Sequence, residues 1–470
     1  MTDNKQPASA DADSIEQSLY QKRKKIYPRE VHGMFATLRT LGVATLLGFY
    51  YIAPWLLWDG RQAILFDLPE RKFYILGMIF WPQDFIYLTM ILVIAALSLF
   101  FFTALAGRLW CGFACPQTVW TEAFLWIERK IEGTRPQQIK LDKRPMDAHK
   151  FTKKFTKHFL WITFSLYTGF TFVGYFTPIR ELAMAIPTLS LGPWEWFWII
   201  FYGFATYGNA GWMREQVCTY MCPYARFQSA MFDNDTLVIS YDEKRGEPRG
   251  TRKRGVSPEE AGLGSCIDCS ICVQVCPTGI DIRDGLQYQC IGCAACIDAC
   301  DDVMEKMGYP KGLIKYTTEN IISGKRTKVL RPRILVYALI LIGITIGTGI
   351  GIYNRSALQL DVIRDRNSLF RETGMGMIEN VYTLKVINKD IKAHEFNVSV
   401  EGLPDMKLNM PKTRIYAEPG SVVEVPLSIE MDPDKLDKRT SEVFFTLSAK
   451  DNDNLKITEE ARFLGPIPGR

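Results

Sequence analysis

The chain has 470 residues, 56 Lys and Arg against 51 Asp and Glu, and a formal net charge of +5. Hydrophobic residues make up 47% and charged residues 23%, ordinary averages that conceal several nearly charge-free windows set between basic stretches. That distribution excludes a single soluble globule and a disordered chain. The 12 cysteines are too sparse for a disulfide-rich secreted scaffold and are spaced like metal ligands.

An apolar helix needs about 20 residues to cross a bilayer, and five windows meet that length. The first is 40–58, between Arg39 and Asp59. A stretch at 73–82, FYILGMIFWP, is too short to span and is expected to lie at the interface or to re-enter. The second window is 85–107, ending at Arg108. Just beyond it, Cys111 and Cys115 form a Cys-x3-Cys-Pro motif in WCGFACPQ. The third window is 159–179 and the fourth, 194–213, contains Glu195 and ends at Arg214. The same motif then recurs as Cys218 and Cys222 in VCTYMCPY. The fifth window is 334–353, between Arg333 and Arg355.

Each hairpin of windows therefore ends on the same motif. A spacing of four predicts both sulfurs of a pair on one helix face, with Pro116 and Pro223 ending or kinking the helix. If the second and fourth windows are neighbours, four thiols converge, with Met213 and Met221 as nearby thioether candidates. Such a set could cycle as dithiols, bind Cu(I), hold another centre, or pack as small apolar residues. The residues leave these open.

Between the fourth and fifth windows lies the most specific signal. Cys266, Cys269, Cys272 and Cys276 precede Pro277 in CIDCSICVQVCP, and Cys290, Cys293, Cys296 and Cys300 follow in CIGCAACIDAC. The first three cysteines of such a run wrap one 4Fe–4S cluster and the fourth reaches the other. The expected ligand sets are Cys266, Cys269, Cys272 and Cys300 for one cluster, and Cys290, Cys293, Cys296 and Cys276 for the other. Paired Cys-x2-Cys zinc knuckles fit the spacing less well. Asp301 stands where the second copy would carry a proline. The preceding linker, 242–265, holds KRGEPRGTRKRG and reads as a solvated basic segment, with anionic lipid as the sharper alternative and no sign of nucleic-acid binding.

From about 375 the texture changes to short alternating runs, including VYTLKVIN, FNVSVEG, VVEVPLSI and VFFTLSA, separated by turns. This predicts a β-sandwich of immunoglobulin type, used for docking or assembly. Lys and Arg number seven in 1–39, eleven in 107–158 and seventeen in 214–333, against three in 59–84 and one in 180–193. The bias places the basic segments in the cytoplasm and the C-terminal domain outside. The polar N-terminus lacks the pattern of a cleaved signal peptide, so the first window is expected to act as an uncleaved anchor. All cysteines fall between 111 and 300, in or beside the segments expected in a reducing compartment. His32, His149, His158 and His394 have no haem spacing and are expected at the surface. No glycine-rich nucleotide loop is present.

The organisation expected is thus a cytoplasmic segment 1–39, a four-helix membrane region 40–213 with both Cys-x3-Cys-Pro motifs, a linker and ferredoxin-like module 214–333, a fifth helix 334–353, and an outward linker and immunoglobulin-like domain 354–470. On the run CIDCSICVQVCPTGIDIRDGLQYQCIGCAACIDACDDVMEKMGYPKGLIKY, both Cys-x3-Cys-Pro motifs, and the tail from ENVYTLKVIN to FLGP, the chain resembles the CcoG/FixG/RdxA family of accessory proteins for cbb3-type cytochrome oxidase. The resemblance implies a bacterial inner-membrane protein with a periplasmic immunoglobulin-like domain. It also implies an oxidoreductase that reduces Cu(II) to Cu(I) for the oxidase, with Cys111, Cys115, Cys218 and Cys222 as the candidate copper site. Expected partners are a cytoplasmic electron donor, a copper transporter or chaperone, oxidase assembly factors, the membrane and a second copy of the chain. Two other functions remain compatible with the residues: an electron relay to a protein or dithiol, and a redox-sensing scaffold.

Overall fold

The computed structural model describes residues 25–466 apart from 254, 261, 412, 413, 437, 453 and 454. Most of the expected segment 1–39 therefore lies outside the described residues. The chain forms two compact units. One comprises the chain up to Gly48, Leu99–Thr168 and Ile200–Leu335; the other comprises Phe49–Ser98, Gly169–Ile199 and Val336–Arg470. Each boundary between them falls inside a long helix.

Among the described residues, three helical segments are long and apolar enough to cross a membrane: Met34–Trp55, Pro82–Ala106 and Pro332–Tyr353. Their apolar side chains stay largely exposed, Leu92 at 61% and Leu339 at 70%, as expected for a helix solvated by lipid instead of packed in a core. The first regular helix runs Met34–Ile52, not 40–58, because Pro54 begins a 3-10 turn at Ala53–Trp55 and the chain then pairs as strands. The third expected window is displaced further. Its helix is Ala148–Val173, with Lys150, Lys153, Lys154 and Lys157 in its first half, and a second short helix begins at Ile179. The fourth is Pro193–Thr206, continued by a wide turn of π type over Tyr207–Met213.

Most of the stretch 73–82 is strand. Strands Ile64–Asp67, Lys72–Ile75 and Met78–Phe80 form an antiparallel meander. Alternating aromatic and β-branched residues favour that pleat over a helix too short to stand alone. In the same unit, Asp84 is buried and accepts from Arg355 Nη2 at 2.7 Å and Lys389 Nζ at 3.2 Å. This ion cluster ties the meander to the sandwich that follows the last long helix.

The sandwich packs two antiparallel sheets. One holds Lys407–Asn409, Val422–Met431, Ile378–Asn388 and Leu358–Arg364 in that order; the other holds Ile415–Ala417, His394–Glu401, Thr440–Ala449 and Lys456–Leu464. The period-two pattern puts Val443, Phe445, Leu447 and Ala449 inward, where they meet Tyr382, Phe396 and Phe463. The strand Leu358–Arg364 belongs to this sandwich although its sequence was read as linker. His394 is buried, not exposed, between Asp390 at 3.1 Å and Asp451 at 2.7 Å.

In the other unit, strands Val238–Tyr241 and Ile314–Thr317 pair antiparallel and bracket the cysteine-rich module. Beneath it, buried Glu128 takes Arg214 at 2.7 Å and Lys157 at 3.3 Å, while Glu132 takes Lys157 at 2.7 Å and Lys154 at 2.9 Å. Burial alone would raise the Glu128 carboxyl; Arg214, Lys157 and Lys25 outweigh it and hold the group below its usual range. This network clamps the helix Pro116–Glu132 to the base of the helix Ala148–Val173.

Candidate iron–sulfur and thiol site

The two cysteine runs fold as repeats of one backbone device. In the first, Asp268 and Ser270 both have a φ of +54°. At the equivalent places in the second, Gly292 has +69° and Ala294 +58°. Three non-glycine residues in the left-handed region mark a loop held by its surroundings. Each loop turns its three cysteines around one centre. The third cysteine of each run sits in the first turn of a helix, Ile271–Val275 in the first and Ala295–Met307 in the second, which carries the fourth cysteine away.

One cavity is lined by Cys266, Cys269, Cys272 and Cys300, backed by Ile267, Met304 and Leu313. A second is lined by Cys276, Cys290, Cys293 and Cys296, backed by Ile239, Ile280 and Ile282. Cys272 also borders the second cavity. The donor chemistry fits an iron–sulfur cluster in each: four soft thiols in an apolar enclosure. As free thiols, Cys272, Cys293 and Cys300 resist ionisation. Burial pushes Cys272 up to about 11, opposed by the Arg283 guanidinium, and pushes Cys293 and Cys300 up to about 12. Such thiols give up protons only to a partner that stabilises the thiolate, which couples metal binding to folding.

The second loop is held from outside. Arg39 donates to the Cys293 carbonyl, and Tyr316 Oη donates to the Gly292 carbonyl at 2.6 Å. Arg108 donates to Tyr288 and Cys290 carbonyls and, at 2.7 Å, to Ala225. Asp298, between Cys296 and Cys300, accepts from Phe35 N at 3.2 Å and Ala36 N at 2.7 Å. The module thus supplies the N-terminal cap of the first apolar helix, placing a carboxylate at the positive end of its dipole. The sequence shows no capping residue there to suggest it.

The Cys-x3-Cys-Pro motifs depart from the expected geometry. Cys111 lies in the helix Leu109–Phe113 and Cys218 in the wide turn Val217–Met221, but Cys115 (ψ 130°) and Cys222 (ψ 111°) are extended. The two sulfurs of a pair do not share a helix face. The ring of a proline forbids α geometry to the residue before it, so Pro116 and Pro223 each open a new helix instead of kinking the old one. The repeat is close. Cys115 N bonds to Trp110 O, and Cys222 N bonds to Val217 O, each at 2.8 Å across five residues.

The structure does bring the four cysteines together. Burial raises the Cys218 thiol to about 12, with Cys115, Cys111 and Cys222 each adding repulsion; burial likewise raises Cys111 to about 11, with Cys115 and Cys222 contributing. Among the described residues, however, no group of three or more His, Cys, Asp or Glu is spaced to hold a single metal ion. That applies to the eight loop cysteines as much as to these four. Met213 precedes the second motif and Met221 lies within it, exposed.

Two residues complete this region. Gln228 is fully buried, its Oε1 lies 3.5 Å from Cys111 Sγ, and its Nε2 has no partner among the described residues. Gly112 stands against the second cysteine loop: a Cβ there would lie 2.7 Å from Gly292 O and 2.8 Å from Cys293 Cα. Only glycine allows this approach. The first motif is therefore in backbone contact with a cysteine of the second loop.

The fold and these cavities define a membrane-associated iron–sulfur protein of electron-transfer type. Residues 213–319 match the family described as a 4Fe–4S dicluster domain, 88–134 match a 4Fe–4S binding domain, and 348–466 match an IG-like fold at the C-terminal of FixG. The chain is 40% identical over 435 residues to Protein RdxB of Cereibacter sphaeroides, covering 89% of this chain and 90% of that protein. It is 36% identical over 478 residues to nitrogen fixation protein FixG of Rhizobium meliloti, covering 92% and 91%, and 40% identical over 402 residues to Protein RdxA of Cereibacter sphaeroides, covering 83% and 84%. A FixG-related protein from Vibrio parahaemolyticus of known structure is 42% identical, covering 24% of this chain and all of that one, with a TM-score of 0.22. The chain belongs to the FixG/RdxA family.

Proposed function

We propose that this protein carries electrons through two 4Fe–4S clusters to Cu(II), releasing Cu(I) for assembly of a cbb3-type oxidase. The ligand sets are Cys266, Cys269, Cys272 and Cys300, and Cys290, Cys293, Cys296 and Cys276. When bound, the clusters supply one-electron storage and transfer. Five helices cross the membrane in this reading, with the cysteine-rich module cytoplasmic and the sandwich periplasmic, in line with the Lys and Arg bias. One observation supports it above others: the backbone contact of Gly112 with Gly292 and Cys293, which sets Cys111 beside a cluster loop.

Each Cu(II) takes one electron and becomes Cu(I), a soft ion that thiolates retain. Cys111, Cys115, Cys218 and Cys222 hold it, Arg108 anchors the cluster loop against the motif, and Gln228 orients Cys111. The test begins with anaerobic protein whose clusters have been reduced and freed of excess reductant. Addition of Cu(II) should bleach the clusters and yield Cu(I), read by a chromogenic chelator, in equal electron count. Serine at all four positions should abolish Cu(I) retention. Reduced clusters that persist beside unreacted Cu(II) would overturn the reading.

A second reading has its own support. The family matches described as 4Fe–4S cover both Cys-x3-Cys-Pro motifs. In this reading the four cysteines hold a further cluster. Iron analysis separates the two: about eight irons per chain for two cubanes and about twelve for three.

A further inference from the structure

Within the unit that carries the cysteines lies a cavity of about 620 Å³. Apart from Cys218 and Cys293 at its edge, the chemistry above leaves its space unused. Its volume is that of a small-molecule site, far larger than a copper ion requires. One wall is the start of the first apolar helix, with Thr37, Thr40 and Val43; another is the helix Pro116–Glu132, with Thr121, Leu125 and Trp126. The floor reaches Cys293 of the second cysteine loop, and Cys218 borders it as well.

The lining is amphipathic. Arg39 and Arg129 lie on it with the threonines, beside the apolar surface of Val43, Leu125 and Trp126. Arg129 Nη2 is ion-paired with Glu122 Oε1 at 2.8 Å, while its Nε is buried and without a partner among the described residues. Guanidinium groups disfavour a metal cation, and hydrogen-bond donors beside apolar surface suit a neutral ring bearing oxygens. The first wall belongs to a helix long and apolar enough to cross a membrane, with Leu41 beside the cavity-lining Thr40 exposed at 62%, which suits a ligand that partitions into the bilayer.

We infer that the cavity binds a membrane quinol, which donates electrons to the clusters; the inference rests on the cluster reading above. The step balances: the quinol loses two electrons and two protons and becomes the quinone. Each of the two clusters, when bound, would accept one electron, and the two protons would leave to water. Arg39 and Arg108, which bond to the carbonyls of Cys293 and Cys290, place positive charge beside the second loop. That charge would favour the reduced state of a cluster held there.

The test uses full-length, cluster-loaded protein in lipid nanodiscs, with tritiated decylubiquinone in one arm and menaquinone-4 in the other. One probe or both should bind saturably at about one per chain. Thr37→Trp, at an exposed position, and Thr121→Phe should each weaken binding by about tenfold or more by filling the space, with iron content unchanged. Anaerobic addition of the matching quinol should bleach the clusters by two electrons per quinol. The inference falls if neither probe saturates, or if both filled variants bind as the parent does. Dithionite reduction followed by Cu(II) separates the two readings. Copper reduction that survives without quinone binding removes the quinol alone, and quinone binding without copper reduction removes the cupric step alone.

Discussion

Gly112→Ala tests the contact that joins the first Cys-x3-Cys-Pro motif to the second cysteine loop. The added Cβ would stand 2.8 Å from Cys293 Cα, whereas non-bonded carbons settle at about 3.5 Å or more. One backbone must therefore retreat by about 0.7 Å. Neither has an easy route: Arg39, Arg108 and Tyr316 hold the Cys290–Cys293 carbonyls, and Thr118 Oγ1 holds the Cys111 carbonyl at 2.6 Å. Overpacking of this kind costs about 1–3 kcal/mol. Gly343→Ala is the control, since nothing lies within 4 Å of its Cβ position and alanine favours a helix. Thermal loss of cluster absorbance and iron per chain, measured on both variants, should show an earlier transition and poorer iron loading for Gly112→Ala only. If Gly112→Ala melts with the control and keeps full iron, the close approach is not a constraint, and the proposed electron path loses its support.

Asp298→Ala removes the cap from the first apolar helix and should cost about 0.5–2 kcal/mol, seen as faster amide exchange over residues 33–37. Gln228→Leu removes the polar contact of the Cys111 sulfur together with an Nε2 that has no partner among the described residues; stability should change by less than about 1 kcal/mol while Cu(I) retention falls, measured by competition with a chelator. Arg214→Leu strips the 2.7 Å partner from buried Glu128 and should cost about 3 kcal/mol. Lys157 remains in place there, and adding Glu128→Gln should recover part of the loss, which thermal denaturation of the pair of variants reads. Phe445→Ala opens the sandwich core and should cost about 3–5 kcal/mol in that domain, with cluster content unchanged; a parallel loss of iron would contradict the division into two units.

The cysteine spacing was legible without the fold because a cubane loop is local: three ligands within seven residues must wrap one centre. The alternating runs of the sandwich were legible for the same reason, since period two shows in the sequence itself. Leu358–Arg364 was missed as a strand because a neighbouring sheet partner, Ile378–Asn388, and not its own pattern, puts it in the sheet. The strands within 73–82 were not legible because a short apolar run reads alike as strand or helix. The displaced helix Ala148–Val173 shows the opposite failure. Hydropathy discarded its lysines, yet Glu128, Glu132 and Asp142 neutralise Lys154 and Lys157 and let the helix start eleven residues earlier.

By itself the sequence determined the chemistry: soft thiols in two ferredoxin runs, a doubled Cys-x3-Cys-Pro motif, apolar helices and a β-rich tail, all of them set by residue type and local spacing. Only the tertiary structure decided proximity. Gly112 against Cys293, Asp298 capping a helix more than 260 residues away, Gln228 beneath Cys111, and the amphipathic cavity opening toward Cys293 all arise from contacts between distant segments. Their side chains carry no local pattern, because what selects them is the neighbour that the fold brings.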